Sequence, residues 1–241
     1  MFVIFDDKSR QYRVYKKLLV NFEQKIMPKI VCLSDTHNCN ELINVPDGDI
    51  LIHAGDATIN GTPFEVEAFL AWFSSLPHKH KIFVAGNHDW LYETANNLAR
   101  NLTANSNIEY LQDSFVEIEG LKIYGSPWQP RFFDWAFNLN RGAELAEKWK
   151  LIPDDTDVLI THGPPNGILD EVSRKYFVEN TGCEELIKRV EELAGNNLKL
   201  HIFGHIHCGY GQMEKFGVKF VNASNCDESY EPTQKPIVVE I

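Results

Sequence analysis

No apolar run in this 241-residue chain approaches the length of about 20 residues that a membrane-spanning helix needs. Positive charge is scarce as well: 23 Lys and Arg stand against 34 Asp and Glu, a formal net charge of −11. A long nucleic-acid duplex or an anionic membrane would be repelled by that balance. A small phosphate compound is not excluded, because a bound metal ion reverses the sign of the field locally. The five cysteines (Cys32, Cys39, Cys183, Cys208, Cys226) are odd in number and contain no Cys-x-x-Cys pair. That pattern supports neither a disulfide framework nor a zinc ribbon, and a reducing, cytoplasmic setting fits it better. The N-terminus has acids directly after the apolar "FVIF" and no small-residue cleavage pattern, so no signal peptide is expected. Repeats and low-complexity segments are absent too.

What is present reads as an ordinary globular composition, 44% hydrophobic and 24% charged, long enough to bury a substantial core. Residues 1–26 read as an N-terminal extension, with "FVIF", the polar turn "DDKSR" and "QYRVYKK" suggesting a hairpin. Met27 would serve as an alternative start, and residues 27–241 read as one domain in which strands and helices alternate. "KIVCLSD", "DILIHAGD" and "KIFVAGN" are Ile- and Val-rich runs bounded by Gly, Asp or Asn, the pattern of strands buried on both faces. "DVLITHG", "LKLHIFGH", "GVKFVNAS" and "PIVVEI" read as further strands, and "FVEIEG" with "LKIYGS" as a hairpin about Gly120. Thr62, Pro63 and Glu65 form a capping box with proline at the first helical position. A second box, Thr181 to Glu184, is expected to open "CEELIKRVEELAG", with Gly195 as its stop. Together these elements predict an α/β protein of two mixed sheets packed face to face, helices outside.

Five of the apolar runs end on side chains able to hold a metal. Asp35 and His37 follow "IVCLS", Asp56 follows "ILIHAG", Asn87 and His88 follow "IFVAG", His162 follows "VLIT", and His205 and His207 follow "LHIFG". The carboxyl ends of strands open onto the crevice where ligands bind in open α/β sheets. Each has a plainer reading. Asp35 or Asp56 could cap or turn the chain, and the Asn87–His88–Asp89 triplet could cap a helix starting near Trp90. His162 could be a satisfied strand-end histidine, and strand alternation would let only one of His205 and His207 face a site. As a set they form a mixed oxygen and nitrogen donor group of two carboxylates, one amide and four imidazoles. That set suits manganese, iron or zinc, and it suffices for two ions sharing a carboxylate.

In order, "DTH", "GD", "GNHD", "THG" and "GHIH" resemble the five motif blocks of the calcineurin-like metallophosphoesterases. "YGSPWQPRFFDWAFNLNRG", "LIPDDTDVLITHGPP" and "VNASNCDESYEPTQKPIVVEI" are similar to the metallophosphoesterase-domain-containing proteins within that superfamily. The resemblance implies a four-layer α/β/β/α sandwich. It also implies two divalent ions, manganese first, with iron or zinc as alternatives. By the same resemblance Asp35, His37 and His207 hold one ion, Asn87, His162 and His205 the other, and Asp56 bridges them. A hydroxide between the ions would attack phosphorus in line, with His88 donating to the phosphoryl oxygen or leaving group and Asp89 orienting the His88 ring. Some animal relatives lose the first histidine of the last block, which this chain retains as His205. The expected substrate is a small phosphate ester, a phosphodiester before a monoester, with cyclic nucleotides such as 2′,3′-cAMP and aryl diesters as candidates. A low-turnover nucleotide-binding scaffold on the same fold is the competing reading.

Other features carry less. His53 and His201 lie within predicted strands and read as structural, and "PHKH" as a solvated loop. Cys183 to Arg189 matches the spacing of cysteine phosphatases, but its spacer holds two glutamates and no glycine, so it reads as a helix start. Trp128, Phe132, Phe133, Trp135 and Phe137 either stack a nucleobase or pack a long loop onto the core. Arg131 and Arg141 read as exposed, with phosphate contact as the alternative.

Overall fold

The structure, a computed structural model, describes residues 27–241; the hairpin expected within 1–26 lies outside them. In chain order the elements are β1 (Lys29–Leu33), β2 (Ile50–His53), α1 (Pro63–Ser75), β3 (His80–Phe83), α2 (Trp90–Thr94) and α3 (Asn96–Ala104). They continue with β4 (Glu109–Tyr110), β5 (Ser114–Ile118), β6 (Leu121–Ser126), β7 (Gln129–Pro130), β8 (Asn138–Leu139) and α4 (Ala143–Trp149). The last are β9 (Val158–Thr161), β10 (Glu171–Ser173), β11 (Val178–Asn180), α5 (Glu184–Ala194), β12 (Leu200–Phe203), β13 (Gly211–Lys215), β14 (Val218–Asn222) and β15 (Ile237–Glu240).

A five-stranded sheet runs β15-β1-β2-β3-β4, and a six-stranded one runs β13-β14-β12-β9-β6-β5. In the first, β1 through β4 are parallel and β15 is antiparallel. In the second, β14, β12, β9 and β6 are parallel, flanked by the antiparallel edges β13 and β5. Alternate residues of each strand point to opposite faces, and the core divides accordingly. Ile30, Ile50, Ile52 and Ile82 meet Ile123, Val158, Ile160 and Ile202 between the sheets. On the outer face of the first sheet, Val31, Leu51 and Phe83 pack against Val66, Phe69 and Phe73 of α1. Outside the second, Tyr124, Leu159 and Phe203 pack against Trp149 of α4 and Leu186, Val190 and Leu193 of α5. This gives the helix–sheet–sheet–helix layering of an α/β/β/α sandwich.

Local chemistry explains most boundaries. Thr62 and Glu65 form the reciprocal capping box at the start of α1. The hairpin turn falls on Glu119 and Gly120, both at positive φ (52° and 76°), which matches the right-handed strand twist. The box expected at Thr181 does not form. Cys183 is the residue that precedes α5, without a side-chain cap, so Thr181 stands two residues short of the cap position, its hydroxyl donating to the Asp170 carbonyl at 3.1 Å. Gly195 ends α5 at φ −69°, a conformation any residue adopts, so left-handed freedom is not what stops that helix. "PHKH" is not a solvated loop either: His78 is buried, its Nε2 paired with the Pro46 carbonyl at 3.0 Å, and His80 opens β3.

Candidate metal centre

The parallel strands β1, β2, β3, β9 and β12 end at one rim, and the chain turns sharply there. Asp35, His37, Asp56 and His205 all have positive φ (52°, 43°, 55° and 68°). Left-handed backbone at non-glycine residues is uncommon and concentrates where function demands it. The turns swing the donors inward. Ligand atoms of Asp35, His37 and His207 lie within 4.8 Å of one another, as do those of Asp56, His162 and His205. His37, Asp56 and His88 form a third group on the same criterion, so Asp56 joins the two halves. Asn87 enters through its Oδ1, 2.9 Å from His162 Nε2. His205 and His207 both face the centre because they lie beyond β12 in a turn rather than on a strand.

The ring nitrogens fix what this group can bind. His37 Nδ1 faces the Thr58 carbonyl at 3.3 Å, His162 Nδ1 the Ala54 carbonyl at 2.9 Å, and His207 Nδ1 the Asp227 carbonyl at 2.8 Å. A carbonyl only accepts, so each Nδ1 carries a hydrogen, and in its neutral form each ring turns a lone pair inward at Nε2. There His37 Nε2 meets His207 Nε2 at 3.3 Å, and His162 Nε2 meets Asn87 Oδ1 and Asp56 Oδ2 at 2.9 and 3.4 Å. Acceptors aimed at acceptors repel unless something positive lies between them. The titration behaviour carries the same demand. Burial opposes charge on His162 and His207, yet Asp56 beside the first and Asp35 beside the second push both up to about 9. Burial brings His37 down to about 4 and His205 to about 3. Burial would raise Asp35 and Asp56, but the surrounding imidazoles hold both carboxyls well below the usual range. The donor set therefore fits hard-to-borderline divalent cations.

His88 sits beside this group with Nδ1 on the Ile59 carbonyl at 2.7 Å and its ring against Trp135, centroids 4.2 Å apart. The expectation that Asp89 orients that ring is corrected. The buried Asp89 carboxylate instead accepts from the backbone N–H groups of Gly86 (2.8 Å), Thr58 (3.1 Å) and Ala57 (3.3 Å), and from the Thr58 hydroxyl (2.8 Å). It ties the turn after β3 to the turn after β2. Nor does it cap α2, since all its acceptor capacity is spent on that tie.

His53 and His201 lie inside strands and mirror each other, Nε2 on the Thr36 hydroxyl at 3.0 Å and on the Thr161 hydroxyl at 2.8 Å. The aromatic stretch divides. Phe132, Phe133 and Trp135 line a cavity of about 380 Å3 over the centre, while Trp128 and Phe137 pack inward against each other. Arg141 is spent on the Thr181 and Gly182 carbonyls, both at 2.7 Å, and on Glu184. Cys208 lies on the turn His207–Gly209 rather than a strand and donates to the Glu171 carbonyl.

Sequence reasoning missed a supporting shell. Ser224 donates to Asp35 Oδ2 at 2.9 Å, and the His205 N–H to the same carboxylate at 2.9 Å. Tyr230, left-handed at φ 62°, places its ring 4.7 Å from that of His37. Its loop is organised by Asp227, which accepts from the N–H groups of Ser229 and Glu231. An Asp followed two residues on by Ser was the one available signal, since that spacing suits a local side-chain turn.

Comparison with known proteins agrees with this geometry. Residues 28–209 match the family model described as calcineurin-like phosphoesterase. The chain is 45% identical over 237 residues to human metallophosphoesterase domain-containing protein 1, covering 88% of this chain and 71% of that protein. It is 39% identical over 225 residues to a UPF0046 protein of Caenorhabditis elegans, covering 88% and 75%. A solved structure from Thermus thermophilus aligns with a TM-score of 0.55 at 17% identity, over 89% of this chain and 99% of its own, a likeness of fold. The chain belongs to the calcineurin-like phosphoesterase family, whose metal-dependent hydrolysis of phosphate esters is the class of chemistry the donor cluster suits. Among the described residues no helix is long and apolar enough to cross a membrane.

Proposed function

We propose that the protein is a dinuclear metal-dependent phosphodiesterase acting on small phosphate diesters, cyclic nucleotides and aryl diesters among them. The observation that carries this is the convergence of acceptor on acceptor at His37–His207 and at His162–Asn87–Asp56. Asp35, His37 and His207 would hold one ion, Asn87, His162 and His205 a second, and Asp56 would bridge. Two such ions, with manganese the first candidate and iron or zinc next, would supply Lewis acidity and lower the pKa of water toward about 7. The chain's own residues do the rest. Hydrolysis adds a water oxygen to phosphorus, breaks one P–O bond and leaves a departing oxygen in need of a proton. His88, its Nδ1 on the Ile59 carbonyl, lines the cavity and would donate to that departing oxygen from Nε2. Trp135 backs that ring, and Phe132 and Phe133 wall the entrance. The five cysteines are free thiols, in keeping with a reducing, cytoplasmic setting.

The test combines metal analysis with turnover of bis(4-nitrophenyl) phosphate and a panel of cyclic nucleotides and monoesters. His88→Gln is expected to keep its metal and lose activity by about 10²- to 10⁴-fold, whereas Asp56→Asn loses both. A wild-type protein that binds metal yet turns over none of the panel with manganese, iron, nickel or zinc would establish the scaffold reading instead.

A further inference from the structure

The cavity over the metal centre adjoins a second of similar size, about 380 Å3. Phe132, Val172, His205 and Ile206 line both, so the two chambers share a wall that includes an expected metal ligand. Their characters differ. The first is walled by Phe133, Trp135 and Tyr230 around the donor cluster. The second holds Arg131, Arg141 and Arg174 against a single acid, Glu179, in a chain whose net charge is −11.

The partners of these arginines separate a strut from two open forks. Arg141 is bound at both terminal nitrogens by carbonyls and by Glu184, and it holds the chamber's floor. Arg131 uses only its Nε, on Asn140 Oδ1 at 3.3 Å, with the fully exposed Asp134 no closer than 3.8 Å. Arg174 likewise uses only its Nε, on Glu179 at 3.3 Å. Among the described residues the paired terminal NH2 groups of Arg131 and Arg174 donate no hydrogen bond. A guanidinium fork with both terminal nitrogens unspent matches a phosphate or carboxylate bidentately. Arg131 follows β7 and Arg174 follows β10, so two separate segments bring their forks to one cavity.

We infer that this chamber binds a second anionic group of the substrate, so that preferred esters carry a phosphate or carboxylate besides the phosphate that is cleaved. The inference deepens, and rests on, the phosphodiesterase reading above. It predicts that a phosphodiester bearing a further charged substituent is selected over its otherwise identical neutral counterpart, despite the protein's overall repulsion of anions.

A matched pair of chromogenic substrates tests it: the 4-nitrophenyl ester of thymidine 5′-phosphate, and the same ester with a 3′-phosphate. With manganese present, the wild-type kcat/KM for the 3′-phosphorylated ester is expected to exceed that for the plain ester by roughly 10- to 100-fold, mainly through KM, as charged hydrogen bonds provide. In Arg131→Gln/Arg174→Gln that ratio should fall to within about three-fold of one, and in Glu179→Ala, which removes both the acceptor on Arg174 Nε and the competing negative charge, it should rise. Each single arginine variant, measured beside its melting temperature, should lower the ratio part-way, so a poorly folded double variant leaves the test intact. A wild-type ratio near one, or a ratio untouched by the substitutions, overturns the inference while leaving the phosphodiesterase reading standing. A chamber for a free anion would show as sulfate inhibition of the plain ester with a ratio of one, which also overturns it. If neither ester is cleaved, the phosphodiesterase reading fails and this inference falls with it.

Discussion

Gly204 offers the sharpest test of how the donor cluster is built. Its N–H donates to the His162 carbonyl at 2.9 Å, and a Cβ placed on it would overlap the Asp35 carboxylate and the Ser34 side chain. Its φ is unexceptional, so Gly204→Ala adds a steric clash and no backbone strain. Neither neighbour has room to retreat. Asp35 and Ser34 are fully buried, and the Asp35 carboxylate is held by Ser224 Oγ at 2.9 Å and the His205 N–H at 2.9 Å. Overpacking of a filled interior costs about 1–3 kcal/mol, and displacing a carboxylate from one charged hydrogen bond adds about 1.5–3 kcal/mol. A total of about 2.5–6 kcal/mol corresponds to a fall in melting temperature of roughly 5–24 °C for a domain of this size. Urea unfolding with excess chelator would read the fold without a contribution from metal linkage. Calorimetric titration with manganese would then read the site, where a carboxylate displaced by an ångström should weaken binding at least ten-fold. A variant within about 0.5 kcal/mol of wild type that binds manganese unchanged would refute the close approach of these two strand ends.

Three further outcomes follow from named contacts. Gly195 ends α5 at φ −69° with its nearest prospective contact, Glu192 O, at 3.5 Å, so Gly195→Ala should stabilise by about 0.4–1 kcal/mol in the same urea assay. Asp89→Ala strips the carboxylate from three buried N–H groups, while the Thr58 hydroxyl keeps the His88 carbonyl; at about 1–3 kcal/mol for each orphaned group, it should destabilise by at least about 3 kcal/mol, an effect that a role confined to the His88 ring would not produce. Burial opposes ionisation of Glu65, but hydrogen bonds from Thr62, Asn38 and Asn60 bring its carboxyl down to about 2 from 4.5. A depressed carboxyl stabilises above its unfolded pKa and loses that contribution as pH falls through the folded one. The stability gap between wild type and Glu65→Gln, about 1 kcal/mol for an exposed capping pair, should therefore be full above pH ~4.5 and close toward pH ~2.

The fold was legible where one physical demand dominates. Strands β1, β2, β3, β9 and β12 are almost wholly buried, so their sequences are largely apolar, and the polar residue that follows each run is where the chain leaves the sheet. The same termination exposed Asp35, Asp56, Asn87, His162 and His205 as one group before any coordinates. Competition between partners was not legible. Thr181 and Glu184 have the spacing of a capping box, yet α5 starts after Cys183, and the Thr181 hydroxyl bonds Asp170, eleven residues away in sequence. Asp89 adjoins His88, but Thr58, Ala57 and Gly86 claim its carboxylate. Beyond the Asp227–Ser229 spacing nothing local marks Tyr230 or Ser224, since their places are set by the return of the chain across the rim. The nine-residue α3 and seven-residue α4 were also missed, both short and rich in polar residues, so that packing rather than periodicity decides them.

The antiparallel strand β15 pairs with β1, joining Lys29 to Glu240 and Cys32 to Ile237, and the segment leading to it carries Ser224, Asp227 and Tyr230. During synthesis β1 is made early and waits, one edge open, for a partner encoded some two hundred residues later. Loss of those closing residues would therefore do more than fray an end: it would bare the flank of the strand leading into Asp35 and slacken the segment that steadies His207. The rim that carries the donors is thus completed only where the two ends of the domain clasp.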